Sequence, residues 1–396
     1  MTDPTTVPRA ARVGTAAAFA LQGFLLAVLL TQLPQFKDKF GFTDTTIVVA
    51  VVTVSLVAGV GSVLAEFAAT RTSSRTTLRA GLCVIAIAGA GIAFSQGTVA
   101  FFAGFAVYGI GLGIVDAAAN MQAVAIQHRY GRSILSSFHA VWSVGAISGA
   151  LFVSACAGLD VGLGACLLVA AAVVAVGTTV LGPRLLVTGH ETAVAPTAPL
   201  AVPLRPFLAL GAAMALFFAI DFSIGNWSAL YLTDMLLASA STAALGVAAY
   251  QGAGLLSRLT GDHWVRRYGE IAVVRVGAAI GAAGMVVVVF ATGPTMAIVG
   301  FLVVGLGAPV VAPLCFSAAG RLAPPGQTDA VVARLNLFNY AGTVVGGGIV
   351  GAVAAASNLR VGFVVPLAFA MGLVLLAPAF HPRTASAVPE SADRTR

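Results

Sequence analysis

Apolar segments of about 20 residues recur along the chain, and short polar stretches separate them. A helix needs about 20 consecutive apolar residues to cross a membrane, whereas barrel strands alternate apolar and polar positions over about 10 residues. The uninterrupted segments therefore predict an all-α membrane protein. We place twelve transmembrane helices at residues 13–34, 46–67, 78–96, 99–125, 135–157, 162–182, 206–231, 241–260, 271–292, 295–318, 329–355 and 359–380.

One polar segment differs from the other connections because it is longer and rich in Pro, Thr and Ala. It lies between Gly182 and Pro206 and leaves six predicted helices on each side. Many transporters are built from two related bundles. The division predicts an N-terminal six-helix bundle over residues 1–183, a cytoplasmic linker over 184–205, a C-terminal six-helix bundle over 206–380 and a cytoplasmic tail over 381–396.

The composition agrees with a membrane location, since 59% of the residues are hydrophobic and 9% are charged. Soluble proteins carry about 25% charged residues. The net charge of +7 does not predict a nucleic-acid partner, because the basic residues occupy short loops between apolar segments. The four cysteines lie in or beside apolar segments without a CxxC pair, so we expect no metal site and no cofactor.

The lysines and arginines predict the orientation of the chain. If the amino terminus lies inside, all but three of the 21 basic residues fall in inner loops or at inner helix ends. The three outer residues are Lys37, Lys39 and Arg360. Basic residues concentrate on the cytoplasmic side of membrane proteins. We therefore expect a multi-pass protein, surrounded by lipid, with both termini in the cytoplasm. The richness in Ala, Val and Gly with few lysines is typical of a high-GC bacterium, so we expect the membrane to be a bacterial plasma membrane.

The segment after the eighth predicted helix, residues 261–269, reads GDHWVRRYG. It resembles the G-D-x-x-x-x-R-x-G loop of the major facilitator superfamily, and residues 61–75 are a degenerate copy in the first half. The resemblance implies a charge cluster that forms at the cytoplasmic helix ends in one state of the transport cycle. The residues assigned to this gating cluster are Glu66, Arg71, Arg258, Asp262, Arg266 and Arg267.

A narrower resemblance covers residues 109–149, 221–231 and 254–262. These segments look like one branch of the superfamily, which includes fucose-permease-like proteins and a membrane protein proposed to move the inositol-like amine rhizopine. The branch implies a small polar solute, sugar-like or cyclitol-like. Many proton-coupled drug antiporters carry an arginine in helix four, where this chain has Val107 and Tyr108.

Two acids stand near the middle of predicted spans, Asp116 in the fourth and Asp221 in the seventh. A charge in mid-membrane costs roughly 2.5–3.5 kcal/mol on insertion scales, so such residues are usually functional. We interpret both as cavity-facing carboxylates that bind a proton, a cation or a hydroxyl-rich solute. The alternative is a structural role, in which each acid caps a helix or pairs with a buried arginine.

Further candidates for solute or proton binding are polar or aromatic residues on the predicted helices. For each of them an interhelical hydrogen bond or an interfacial anchor is the structural alternative. On helix eleven the polar positions have i, i+3, i+4 spacing and therefore share one face. Together, these further candidates on all the predicted helices are Gln22, Asn120, His139, Trp142, Trp227, Gln251, Asn336, Asn339 and Tyr340.

These observations predict a monomeric secondary transporter that works by alternating access and couples a small-molecule solute to protons. Efflux of a cationic drug or natural product is the alternative, because two acids without a mid-membrane base also suit a cation. We expect no enzyme activity. His190 and Glu191 begin an HExxH-like string, but Val194 occupies the position of the second histidine.

Overall fold

The computed structural model describes residues 9–187 and 202–381, and this part of the chain is helical without any strand. Most of the predicted linker, with His190 and Glu191, lies outside the described residues, as does the predicted tail beyond residue 381. The helical architecture follows from the solvent, because in hydrocarbon each backbone N–H and C=O needs a partner within its own segment.

In residues 9–187 and 202–381, twelve long helices form two sets of six. The first set is α1 (Arg9–Thr31), α2 (Asp44–Arg71), α3 (Ser74–Ala93), α4 (Thr98–Tyr130), α5 (Leu135–Gly158) and α6 (Leu163–Leu181). The second set is α7 (Leu204–Leu230), α8 (Ala240–Tyr268), α9 (Glu270–Val289), α10 (Pro294–Leu322), α11 (Thr328–Ala356) and α12 (Leu359–Phe380). The twelve-helix, all-α membrane fold predicted from the sequence is confirmed.

Eleven of these helices in the described residues are long and apolar enough to cross a membrane. The exception is α8, although it has 29 residues. This helix contains the polar residues Gln251, Arg258 and Asp262, and its last turn contains Arg266 and Arg267. The sequence prediction ended this helix at residue 260, where its apolar part ends, whereas the polar continuation extends it to Tyr268.

The same close packing recurs in the two halves. A Cβ atom added at Gly145 of α5 would lie 2.1 Å from the carbonyl oxygen of Ala20 in α1. A Cβ atom at Gly346 of α11 would lie 2.3 Å from the carbonyl oxygen of Ala219 in α7. Small residues let transmembrane helices approach backbone to backbone. The pairs α1–α5 and α7–α11 are therefore fixed at equivalent places, as expected of two related bundles.

The halves touch each other at the end of the molecule that carries the α2–α3, α4–α5, α8–α9 and α10–α11 turns, which we call the inner end. There Glu66 of α2 pairs with Arg334 of α11. Gln127 of α4 donates to Ser317 of α10 at 2.7 Å. These contacts close the inner end. The polar residues of the central helices lie farther from that end, toward the middle of the molecule.

Candidate functional site

Asp116 of α4 is the centre of a hydrogen-bond cluster in the middle of the molecule. Gln22 of α1 donates from Nε2 to its Oδ1 at 3.0 Å. Asn339 Nδ2 and Tyr340 Oη of α11 donate to its Oδ2 at 3.1 and 2.9 Å, and Asn336 Nδ2 lies 3.5 Å from the same oxygen. The i, i+3, i+4 spacing on α11 places all three donors on one face. One carboxylate of the N-terminal half thus binds three side chains of the C-terminal half.

The partners of Asp116 are all neutral. Among the described residues, no lysine, arginine or histidine side chain bonds its carboxylate. An ionised carboxylate accepts hydrogen bonds at both oxygens, so amide and phenol donors suit that form. The cluster is anchored further by Asn336, which donates to Ser62 of α2 at 2.9 Å. The carboxylate is therefore stabilised by dipoles that belong to both halves.

A chain of contacts leads from Asp116 to the C-terminal half by a second route. Asn120 donates to the Asp116 carbonyl oxygen at 2.9 Å, and its Oδ1 lies 3.2 Å from Nε2 of His139 on α5. Because Asn120 Oδ1 is an acceptor only, the imidazole carries its proton on Nε2. Ser143, one turn after His139, accepts from Arg258 Nη1 of α8 at 2.9 Å. This places Arg258 in the centre of the molecule.

Asp221 of α7 has a different environment from Asp116. Tyr250 of α8 donates to its Oδ1 at 2.7 Å. The guanidinium of Arg258 is close enough to interact with it electrostatically. The Nε of Arg258 is buried and has no hydrogen-bond partner within the described part of the chain. Within the described residues, Asp116 is thus held by neutral donors, whereas Asp221 also interacts electrostatically with the Arg258 guanidinium.

The remaining sequence-predicted residues of the site make no hydrogen bond to either acid within the described part of the chain. Trp227 donates from Nε1 to the carbonyl oxygen of Gly347 at 3.2 Å and packs against α11. Trp142 is half-buried where α5 meets α1, and Gln251 is exposed on α8. The structure therefore brings Gln22, Asn120, His139 and the α11 residues together. Trp142, Trp227 and Gln251 are not part of this hydrogen-bond cluster.

The predicted gating cluster is distributed over several contacts at the inner end. Glu66 is bound by Arg334 through Nε at 3.0 Å and Nη2 at 2.7 Å. The Arg71 guanidinium stacks over the Phe67 ring at 3.2 Å, and Arg267 lies over Tyr268 at 5.5 Å. Neither of these two arginines bonds an acid among the described residues. Glu66 of the N-terminal half thus pairs with α11 of the C-terminal half.

Asp262 binds the start of α5. Its carboxylate accepts from Ser133 Oγ at 3.0 Å and from the backbone N–H groups of Ser136 and Ser137 at 3.2 and 2.9 Å. Arg266 donates to the carbonyl oxygen of Ser133 at 3.2 Å. An acid at a helix N-terminus satisfies free N–H groups and complements the partial positive charge there. This contact holds α8 of one half against α5 of the other.

Several residues of the inner end were not assigned from the sequence. Gln127 Oε1 accepts from the N–H groups of Ile134 and Leu135 while its Nε2 bonds Ser317. Ser317 in turn donates to Glu270, which pairs with Arg321. Arg334 stands in an apolar helix, and that charge was the signal available for it. Polar residues such as Ser317 give no such signal, because single serines are common in membrane helices.

Tyr108 of α4 was also not assigned to the site from the sequence. Its ring is fully buried, and its hydroxyl has no partner within the described residues. It precedes Asp116 by eight residues, or about two helical turns toward the outer end. The Oε1 of Gln22 is likewise buried and unpartnered. Both atoms retain hydrogen-bonding capacity, and Gln22 is in direct contact with the central carboxylate through its Nε2.

The comparisons by sequence agree with this arrangement. The model of the Major Facilitator Superfamily matches residues 208–396. An MFS-type transporter of Yersinia pestis, described as uncharacterized, is 31% identical over 361 residues, which are 89% of this chain and 91% of the relative. The membrane protein MosC of Rhizobium meliloti is 25% identical over 385 residues, which are 94% of this chain and 90% of MosC.

Solved structures share the fold. The E. coli fucose:proton symporter FucP, as a single-residue variant, superposes with a TM-score of 0.75 at 15% identity, covering 94% of this chain and 98% of the symporter. The human organic anion transporter MFSD10 superposes with a TM-score of 0.76 at 14% identity, covering 96% of this chain and 100% of the transporter. At these identities the likeness establishes the architecture alone.

Proposed function

Since the chain belongs to the Major Facilitator Superfamily of transporters, we propose that it moves a small polar solute, sugar-like or cyclitol-like, in a proton-coupled cycle. The observation that carries this proposal is the Asp116 cluster. A carboxylate that bonds no cationic side chain among the described residues lies in the middle of α4 and accepts hydrogen bonds from both halves. Acids at this depth in membrane proteins commonly belong to ion or substrate pathways.

The chemistry of the carboxylate supports proton coupling. In its ionised form Asp116 accepts from Asn339 and Tyr340 at one oxygen. Protonation converts one of its oxygens into an O–H donor and removes the charge. Hydrogen bonds to charged groups contribute about 1.5–3 kcal/mol, whereas neutral ones contribute about 0.5–1.5 kcal/mol. Proton binding therefore weakens the contact between the halves at the place where they must separate.

The side chains around the two acids suit a hydroxylated solute. Sugars and cyclitols present hydroxyl groups that both donate and accept, and a binding site must offer both functions. Asn120, Tyr250 and the Asp221 carboxylate supply them around the centre of the molecule. FucP is a fucose:proton symporter by its description, which agrees with a solute of this class.

Export of a cationic drug or natural product is the second candidate. The specific observation in its favour is again the Asp116 carboxylate, which bonds no cationic side chain among the described residues. Such a carboxylate is available to a cationic ligand. The nearby guanidinium of Arg258 opposes this reading for Asp221, since a second cation there would be repelled.

A thermal-shift panel on detergent-purified protein distinguishes transport of a sugar-like solute from export of a cation. The ligands are sugars, inositols, amino sugars and lipophilic cations, tested on the wild type, Asp116→Asn and Asp221→Asn. A ligand at 100 times its Kd stabilises a protein by about 2.7 kcal/mol. Asp234→Asn is the matched control, because Asp234 is an exposed acid in the π-helical turn Tyr231–Met235 that follows α7.

We expect hydroxylated solutes to raise the Tm of the wild type and of Asp234→Asn, and the shift to shrink in both central variants. Proteoliposomes then report whether uptake of the active solute follows an imposed pH gradient. A response to lipophilic cations alone would refute the sugar-like solute. Uptake that ignores the pH gradient in the wild type would refute proton coupling.

A further inference from the structure

Arg258 of α8 belongs to the gating cluster by the family resemblance, but its side chain lies among the central residues. It is 7% exposed, and its Nη1 donates to Ser143 of α5 at 2.9 Å. The guanidinium extends back along its own helix, because Nη1 lies 3.8 Å from the position of a Cβ atom at Gly254. Tyr250, one turn further in the same direction, donates to Asp221 at 2.7 Å. The side chain of Arg258 is therefore directed toward the second central acid.

One edge of this guanidinium has no partner in the described part of the chain. Nη1 is used by Ser143, whereas the buried Nε bonds nothing and Nη2 makes no hydrogen bond there. Nε and Nη2 form the side of a guanidinium that can hold acceptor oxygens, and Arg334 binds Glu66 through these same two atoms. A buried donor without an acceptor is costly. The unused edge of Arg258 therefore indicates the position of a ligand that brings an acceptor.

Asp221 offers an unused acceptor near this edge. Tyr250 donates to its Oδ1, and no hydrogen bond to Oδ2 occurs within the described residues. The carboxylate is partly exposed although Asp221 lies within α7, so it borders open space inside the molecule. Asp221 and Arg258 interact electrostatically, yet in residues 9–187 and 202–381 they form no ion pair with each other. A group between them must accept from Arg258 and donate to Asp221.

A hydroxyl group meets both requirements, because its oxygen accepts hydrogen bonds and its proton is donated. Each such bond is about 2.7–3.0 Å long, so one hydroxyl joins groups that are up to about 5.5 Å apart. The charges of the two side chains also cancel. An ammonium group at this place meets the like charge of Arg258, and a carboxylate meets the like charge of Asp221.

We propose that Arg258 and Asp221 hold one hydroxyl group of the solute between them, and that this pair selects uncharged polyols over their amino and acid derivatives. Arg258 is then a specificity-determining residue of the binding site as well as a contact between the halves. The inference rests on the proposed function, which it narrows from polar solutes in general to uncharged ones.

Binding of matched sugars to the full chain in detergent tests the proposal. The probes are glucose and galactose, each as the parent sugar, the 6-amino-6-deoxy sugar and the uronate, with myo-inositol as an uncharged cyclitol. Within each series only the substituent at one carbon differs, and near neutral pH the amine is protonated and the acid is ionised. Isothermal titration calorimetry gives each Kd. We expect the wild type to bind a parent sugar about tenfold more tightly than either charged derivative.

Two substitutions should change this preference in opposite directions. Arg258→Gln leaves the charge of Asp221 unbalanced, so the amino sugar should become the best ligand. Asp221→Asn leaves the guanidinium unbalanced, so the uronate should become the best ligand. In both variants the parent sugar should bind about 10- to 100-fold more weakly, because a hydrogen bond to a charged group is lost. A purely structural role of Arg258 would weaken all three ligands equally.

Arg360→Gln is the matched control, because Arg360 is a partly buried arginine outside the centre that donates to the carbonyl oxygen of Val289 at 3.0 Å. It should keep the wild-type order of ligands. The melting temperature of each variant, measured without ligand, verifies that the fold is intact.

The outcomes separate this inference from the proposed function. If the wild type binds a parent sugar but Arg258→Gln keeps the wild-type order of the three derivatives, the role of Arg258 is overturned and the sugar-like solute stands. Tightest binding of a uronate to the wild type would also overturn the selection for uncharged solutes, since the edge of Arg258 would then be a carboxylate site. If neither the sugars nor myo-inositol bind to the wild type, the sugar-like solute is refuted and this inference fails with it.

Discussion

The ion pair between Glu66 and Arg334 should control how much of the protein is closed at its inner end. The pair joins α2 of one half to α11 of the other through three N–H···O contacts between 2.7 and 3.1 Å. Glu66→Gln keeps the shape of the side chain and removes its charge. We expect this change to favour separation of the halves at the inner end.

The magnitude follows from the exposure of the two side chains, which is 43% for Arg334 and 19% for Glu66. Exposed ion pairs contribute about 0.2–1 kcal/mol, and buried hydrogen bonds to charged groups contribute about 1.5–3 kcal/mol. A bidentate pair of intermediate exposure falls between these values, at about 1–2 kcal/mol. Glu66→Gln should therefore shift the equilibrium between closed and open states by about 5- to 30-fold.

Double electron–electron resonance measures this equilibrium directly. Spin labels on Arg129→Cys in α4 and His263→Cys in α8 report the distance between the halves, since both positions are exposed at the inner end. Cys83 is exposed and is first replaced, whereas the other three cysteines are buried. The long-distance population should grow in Glu66→Gln.

The charge-reversed variant Glu66→Arg/Arg334→Glu is the decisive control. It restores an ion pair of opposite polarity and should recover much of the short-distance population that either single reversal loses. If both single reversals and the double variant open the inner end equally, the pair is not a determinant of closure. An unchanged distance distribution in Glu66→Gln would refute the estimate of its strength.

Three further predictions concern the centre and the helix packing. Asp116→Asn should lose the response of uptake to a pH gradient in proteoliposomes while it retains solute exchange at equal pH. Tyr250→Phe removes a hydrogen bond to the second acid and should weaken solute binding about tenfold in thermal-shift titrations, whereas Tyr231→Phe, which loses a bond to a backbone carbonyl at 2.8 Å, should not. Gly346→Ala places a methyl group against a backbone oxygen and should lower the unfolding free energy by about 1–3 kcal/mol, whereas Gly348→Ala, with open space around it, should not lower the Tm.

The helices could be predicted from the sequence because lipid imposes a simple rule. A spanning segment must be apolar over its length and helical in its backbone, and both properties are local. The rule fails for α8, whose inner turns carry Arg258 and Asp262 and contact the other half instead of lipid. There the helix continues beyond the end of its apolar part, and hydropathy placed its boundary eight residues too early.

The members of the central cluster could be predicted, but their partners could not. Asp116 was marked by its charge, and Asn336, Asn339 and Tyr340 were marked by their spacing on one helix face. The bonds between them join positions more than 200 residues apart, and the packing of the two halves decides them. For the same reason the predicted gating cluster grouped Glu66 with Arg71 of its own helix and with residues of α8, whereas its ion-pair partner is Arg334 on α11.

Helix α11 connects the central acid to the inner ion pair. Arg334 and Tyr340 are separated by six residues, which span about 9 Å along a helix. Within that distance α11 binds Glu66 at one level and Asp116, through Asn339 and Tyr340, at the next. A continuous helix moves as a unit, so α11 cannot leave Asp116 without straining the ion pair. Protonation at the centre and opening at the inner end are therefore expected to be coupled through this single element.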